Sequence, residues 1–128
     1  MAGVSLLVVE DDFPIRKLLR VVLERTGYRV DEAVDGVEAV LKLGVMEYDV
    51  IILDLMMPNL DGFLVIETLA ENDPERLKRI IVTSAVSPAL IRERIKAEPF
   101  DVLPKPFDIA ELSSRVQDCL ATTAAPRV

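Results

Sequence analysis

The 128-residue chain contains no histidine. That removes His-ligated zinc, the serine–histidine–aspartate triad and the cysteine–histidine nucleophile from consideration. It has one cysteine, Cys119, so neither an internal disulfide nor a CxxC pair is available. Basic side chains are the minority: 15 Lys and Arg against 22 Asp and Glu leave a net charge of −7. A surface of that sign does not suit contact with phosphate backbones, so no direct nucleic-acid partner is expected. Long apolar runs are missing too. Although 51% of the residues are hydrophobic, charge interrupts every run well short of the ~20 residues a membrane-spanning helix needs. The opening segment MAGVSLLVVEDD carries no basic leader and ends in acid, so no signal peptide is expected. A cytoplasmic protein with no membrane partner is the reading these absences favour.

The hydrophobic residues that are present fall into two alternating periods. Short runs read as buried strands: Leu6 to Val9, Val50 to Leu53 and Ile80 to Thr83, with Tyr28 to Ala33 and Phe100 to Leu103 as weaker ones. Amphipathic segments lie between them. The first has Ile15, Leu18, Leu19, Val22 and Leu23 on one face and Arg16, Lys17, Arg20 and Glu24 on the other. Asp12 is placed to cap it and Gly27 to end it. Asp35 precedes a helix with Val37, Val40 and Leu41 on one side, and Asp61-Gly62 opens one bearing Phe63, Ile66, Leu69 and Ala70. Ser87-Pro88 starts a charged helix around Arg92, Arg94 and Lys96. Asp108 with Glu111 opens the last, striped by Ile109, Leu112, Val116, Cys119 and Leu120. Cys119 on that stripe reads as core. Five strands alternating with five helices predict an α/β domain, a doubly wound five-stranded parallel sheet with helices on both faces. The expected domain covers 1–121, with 122–128 a tail or the start of a linker.

In such a fold the carboxyl ends of all strands lie along one edge, where ligands bind. The chemically distinctive residues fall there. Glu10, Asp11 and Asp12 follow the first strand, Asp54 ends the third, Ser84 follows the fourth, and Lys105-Pro106 follows the fifth. A lone acid after a strand is usually a cap or a solvated loop residue. Several carboxylates converging from adjacent strands repel one another and call for a cation. Magnesium, which prefers hard oxygen ligands, suits such a place. With a lysine and a hydroxyl added, the set can hold a phosphoryl group by positioning and electrostatics.

The segments LLVVEDD, VIILDLMMPNLDG, IIVTSA and VLPKPF resemble, in order and spacing, the signature segments of the response-regulator receiver domain, as in chemotaxis regulators. The resemblance covers nearly the whole chain and implies the flavodoxin-like strand order 2-1-3-4-5. It implies Asp54 as phosphoacceptor, with Asp11 a direct ligand of Mg²⁺ or Mn²⁺ and Glu10 a second acidic member. The backbone carbonyl of Met56 would be a further ligand. Ser84 would contact the phosphoryl oxygens, Lys105 would pair with the group, and Lys105-Pro106 would be cis. Pro58 and Gly62 would shape the turn after the acceptor, while Asp12 reads better as a helix cap. The implied phosphodonor is a histidine kinase or a histidine phosphotransfer protein, and the implied readout a downstream protein or output domain. The domain would catalyse only its own phosphorylation and dephosphorylation.

One position departs from the family. Val102 stands at the switch position where an aromatic residue is usual, and a valine has few rotamers and little reach. Phe100 is expected on the same side of the strand, ~6.6 Å away along it. Pro104, lacking an N–H, should end the fifth strand or mark it as an edge. Three other readings compete. A haloacid-dehalogenase-type phosphohydrolase would need a second aspartate where Met56 stands. A binding-only pseudo-receiver is favoured only by Val102. A flavin carrier would need a glycine- and hydroxyl-rich loop where this chain has Glu-Asp-Asp.

Overall fold

The computed structural model describes residues 3–57, 62–95 and 98–123. Five strands form one parallel sheet: β1 (Ser5–Val9), β2 (Arg29–Ala33), β3 (Val50–Asp54), β4 (Ile80–Ser84) and β5 (Asp101–Pro104). Their order is β2-β1-β3-β4-β5, so β2 and β5 are the edges. β5 both ends at Pro104 and forms an edge, where the missing N–H costs nothing. The helices are α1 (Phe13–Arg25), α2 (Gly36–Val45), α3 (Gly62–Asn72), α4 (Pro88–Arg94) and α5 (Ile109–Thr123), and a 3₁₀ segment, Pro74–Arg79, precedes β4. The doubly wound α/β class and the 2-1-3-4-5 order are therefore those expected.

Strand alternation sorts the core into two layers. Leu7, Val9, Ile51, Leu53, Ile80 and Val82 pack with residues of α2, α3 and α4. Leu6, Val8, Val50, Ile52, Ile81 and Leu103 pack with α1 and α5. Nearly every one of these strand residues is fully buried, so both faces of the sheet are covered and the apolar runs are explained. Cys119 belongs to the second layer, as its stripe predicted. Burial pushes its thiol pKa up to about 11.

Local punctuation follows the sequence. Asp12 caps α1, its carboxylate accepting from the Ile15 N–H at 3.1 Å, and Asp35 caps α2 through the Glu38 N–H at 2.9 Å. Gly27, past the end of α1, has φ +105°, the left-handed conformation that favours glycine.

Several expected helix faces are corrected. On α1, Leu18 is 51% exposed while Arg16 is buried. On α2, Val37 and Leu41 are exposed, and Gly36, Ala39 and Leu43 face the sheet instead. That helix is apolar on two sides, so periodicity could not say which side the crossover would turn inward. Tyr28 and Phe100 lie just outside their strands. Strand alternation does not reach Phe100, which packs with the α1/α5 layer while Val102 packs with the other. The two are not on one side. α4 stops at Arg94, and α5 runs past the expected boundary at 121 to Thr123, with the hydroxyls of Thr122 and Thr123 donating to the carbonyls of Asp118 and Cys119. Pro58, Asp61 and Lys96 lie outside the described residues.

Candidate functional site

Sheet register assembles the site. Val9 pairs with Leu53, so Glu10 at the end of β1 is level with Asp54 at the end of β3. Ser84 closes β4 opposite Pro104 of β5, and the Lys105 N–H continues the ladder by donating to the Ser84 carbonyl at 2.8 Å. Residues far apart in the chain thus reach one edge because every strand points the same way.

At that edge Lys105 Nζ donates to Glu10 Oε1 at 2.8 Å and to Asp54 Oδ2 at 3.2 Å. The other Asp54 oxygen accepts the Met56 N–H at 3.2 Å. Glu10 Oε2 accepts the Asp12 N–H at 3.3 Å. Glu10 and Asp54 are buried, whereas Asp11 stands exposed at the rim. One ligand atom from each of Glu10, Asp11 and Asp54 fits within 4.8 Å of the others. The Lys105–Pro106 peptide is cis, as the family resemblance implied.

The charges are unbalanced. Three carboxylates face one ammonium, which leaves about two negative charges for a cation to meet. Burial raises the pKa of Glu10; Lys105 lowers it and Asp54 raises it further. Asp11 is raised by burial of its carboxyl and by the hydrogen bond and charge of Glu10. For Lys105, burial acts downward, but the bond to Glu10 and the charge of Asp54 outweigh it and hold the ammonium above its usual value. The donor set of hard oxygens fits a divalent ion such as Mg²⁺.

The backbone around Asp54 is equally constrained. The Gly62 N–H donates to the Leu55 carbonyl at 3.0 Å. A Cβ at Gly62 would lie 2.6 Å from Leu55 Cα and 2.7 Å from the Asp54 carbonyl oxygen, so only glycine lets α3 start this close to the strand end.

Glu10, Asp11, Asp54 and Lys105 thus meet in one cluster. Ser84 lies at the same edge, fully buried, with its Oγ accepting the Val86 N–H at 3.0 Å. Met56 reaches Asp54 through its backbone N–H, and its side chain is exposed. Val102 lies apart from the cluster and packs against the layer containing Ile91. Sequence reading missed Arg16. Placed on the polar face of α1, it instead turns inward to donate to the Glu10 carbonyl, and nothing in the sequence separates it from the neighbouring Lys17.

A flavodoxin-like α/β domain with an acidic, cation-suited pocket at its carboxyl edge is the class that fold and site define. The sequence model of the response regulator receiver domain matches residues 6–117, and the chain belongs to that family. It is a receiver module of two-component signalling. The transcriptional regulatory protein ResD of Bacillus subtilis is 39% identical over 116 residues, covering 91% of this chain and 48% of ResD. The chain spans about half the length of the curated relatives it matches. The receiver domain of a Pseudomonas aeruginosa sensor histidine kinase, solved with a magnesium ion in its active-site cleft, has 32% identity and a TM-score of 0.82. The alignment covers 94% of this chain and 99% of that one. The response regulator TrrA of Thermotoga maritima, solved in complex with Mg²⁺-BeF, has 32% identity and a TM-score of 0.78, with 91% and 98% covered.

Proposed function

We propose that Asp54 accepts a phosphoryl group from the phosphohistidine of a histidine kinase or histidine phosphotransfer protein. The observation that carries this is the Asp54 carboxylate itself. It is 4% exposed, held by Lys105 on one oxygen and by the Met56 N–H on the other, beside two more carboxylates. A carboxylate oxygen of Asp54 attacks phosphorus, an O–P bond forms, and the P–N bond breaks with its electron pair going to the imidazole. Lys105, already charged and aimed at Asp54, meets the charge on the transferred group. Glu10, Asp11, Asp54 and the Met56 carbonyl would hold Mg²⁺, with Mn²⁺ a substitute; bound there, it supplies neutralisation of the equatorial phosphoryl oxygens. Water later cleaves the acyl phosphate, so the domain catalyses its own phosphorylation and dephosphorylation and no other reaction.

The phosphoryl group adds about −1.5 to −2 charge units at the sheet edge. Ser84 responds by releasing the Val86 N–H and turning its hydroxyl to the new oxygens, which shifts a two-state equilibrium of the loop after β4. Val102 has no ring to follow that movement. By likeness to ResD, a transcriptional regulator of about twice this length, the signal passes to an output domain or docking protein. The receiver closes with α5, which reaches Thr123, and the module works in the cytoplasm.

Acetyl phosphate with Mg²⁺ should add one phosphoryl group to the intact mass, and Asp54→Asn should abolish the gain. Identical spectra from wild type and variant would remove Asp54 from this role. A wild type that binds Mg²⁺ but never gains mass would support the binding-only reading.

A further inference from the structure

The β1–α1 turn carries Glu10 and Asp11, and one guanidinium reaches into it. Arg16, 7% exposed, donates from Nη1 to the Glu10 carbonyl oxygen at 2.8 Å and from Nε to Glu32 Oε1 at 2.8 Å. Glu32 lies on the edge strand β2, where Lys17 (2.9 Å) and Arg20 (2.5 Å) also hold its second oxygen. Of these three cations, Arg16 is the one bonded to the Glu10 backbone.

We propose that Arg16, braced by Glu32, is a positioning residue for the cation pocket. It fixes the peptide between Glu10 and Asp11 and thereby the directions of both carboxylates. The inference rests on the reading of Glu10, Asp11 and Asp54 as the Mg²⁺ site. A planar fork can bond the carbonyl and the carboxylate at once, which an ammonium on a flexible stem cannot do at the same two distances. The Glu10 N–H is pinned as well, donating to the Ala33 carbonyl at 3.1 Å. The residue is therefore tied to β2 on its amide side directly and on its carbonyl side through Arg16 and Glu32. Between those ties the Glu10 side chain meets Lys105 on Oε1 and the Asp12 N–H on Oε2, and faces the ion's place. Groups behind a ligand that set its direction typically change metal affinity 10- to 100-fold when removed.

The test is Mg²⁺ binding by calorimetry on the whole chain, with the thermal midpoint of each variant recorded beside it. Arg16→Met is expected to weaken Mg²⁺ binding about tenfold. Arg16→Lys, which keeps the charge but not the fork, should shift affinity in the same direction. Arg20→Met removes an equal charge from Glu32 without touching the Glu10 carbonyl, and should leave Mg²⁺ affinity as in wild type. Wild-type affinity in a folded Arg16→Met protein overturns the proposal. Should that variant fail to fold, wild-type affinity in Arg16→Lys does so. An equal loss in Arg20→Met also overturns it, because the effect would then be charge and not position. A wild type that binds no Mg²⁺ sinks the metal reading itself, a separate outcome.

Discussion

Replacing Asp11 with asparagine should make the metal-free protein more stable and at the same time end its response to Mg²⁺. Asp11 is one of three carboxylates whose oxygens lie within 4.8 Å of each other. Two unit charges at that distance repel by about 3 kcal/mol at an effective dielectric of ~20, and by under ~1 kcal/mol in bulk water. Asp11 stands at the exposed rim and Lys105 offsets part of the field, so a relief of about 1 kcal/mol is the appropriate figure. The pKa directions carry the same sign. A carboxyl raised above its unfolded value destabilises the fold at higher pH and is relieved as protons bind, and both Asp11 and Glu10 are raised. For a domain of this size ~1 kcal/mol moves the melting midpoint upward by roughly 3–5 °C. Mg²⁺ at about 100 times its Kd should stabilise wild type by about 2.7 kcal/mol, and the variant hardly at all. Thermal melts in EDTA and in Mg²⁺ measure both effects. If Asp11→Asn melts at or below wild type in EDTA, or gains as much from Mg²⁺, the electrostatic account of the pocket is wrong.

Gly62→Ala should cost about 1–3 kcal/mol, because the new methyl meets Leu55 Cα and the Asp54 carbonyl rather than a yielding side chain; urea melts and the rate of mass gain from acetyl phosphate should fall together, and a variant normal in both would show that the close approach is relaxed cheaply. At Glu32 burial acts upward, but bonds from Lys17, Arg20 and Arg16 outweigh it and hold the carboxyl down at about 2. Its contribution is therefore complete above the unfolded value of 4.5 and is lost as pH falls toward 2. With Lys17 and Arg20 well exposed, about 1–2 kcal/mol is expected, and Glu32→Gln should flatten this acid limb in urea melts between about pH 5 and 2.5. Cys119, fully buried with its thiol raised to about 11, should react with an aromatic disulfide reagent only after unfolding; rapid labelling of the native protein would contradict its place in the core.

Much of the fold was legible because its signals are local. Four-residue apolar runs bounded by charge identify strands buried on both faces, and Asp12, Asp35 and Gly27 announce helix ends through bonds and dihedral angles that span only a few residues. The strand-end grouping was legible for the same reason: parallel strands all deliver their next residue to one edge, so Glu10, Asp11, Asp54, Ser84 and Lys105 could be placed there from order alone. What the sequence could not decide was which of two apolar sides a helix would bury. α2 presents Val37 and Leu41 on one side and Ala39 and Leu43 on another, and only the crossover angle turns the second pair inward. Nor could it separate Arg16 from Lys17. Both are cations on one amphipathic helix, and only the distance from α1 to the Glu10 carbonyl and to Glu32 on β2 draws one of them into the site. Phe100 shows the same limit. Alternation places it beside Val102, yet β5 begins one residue later, and the ring turns to the opposite layer. Local chemistry is written in neighbouring residues, whereas the choice among equivalent faces and equivalent charges is made by partners distant in the chain.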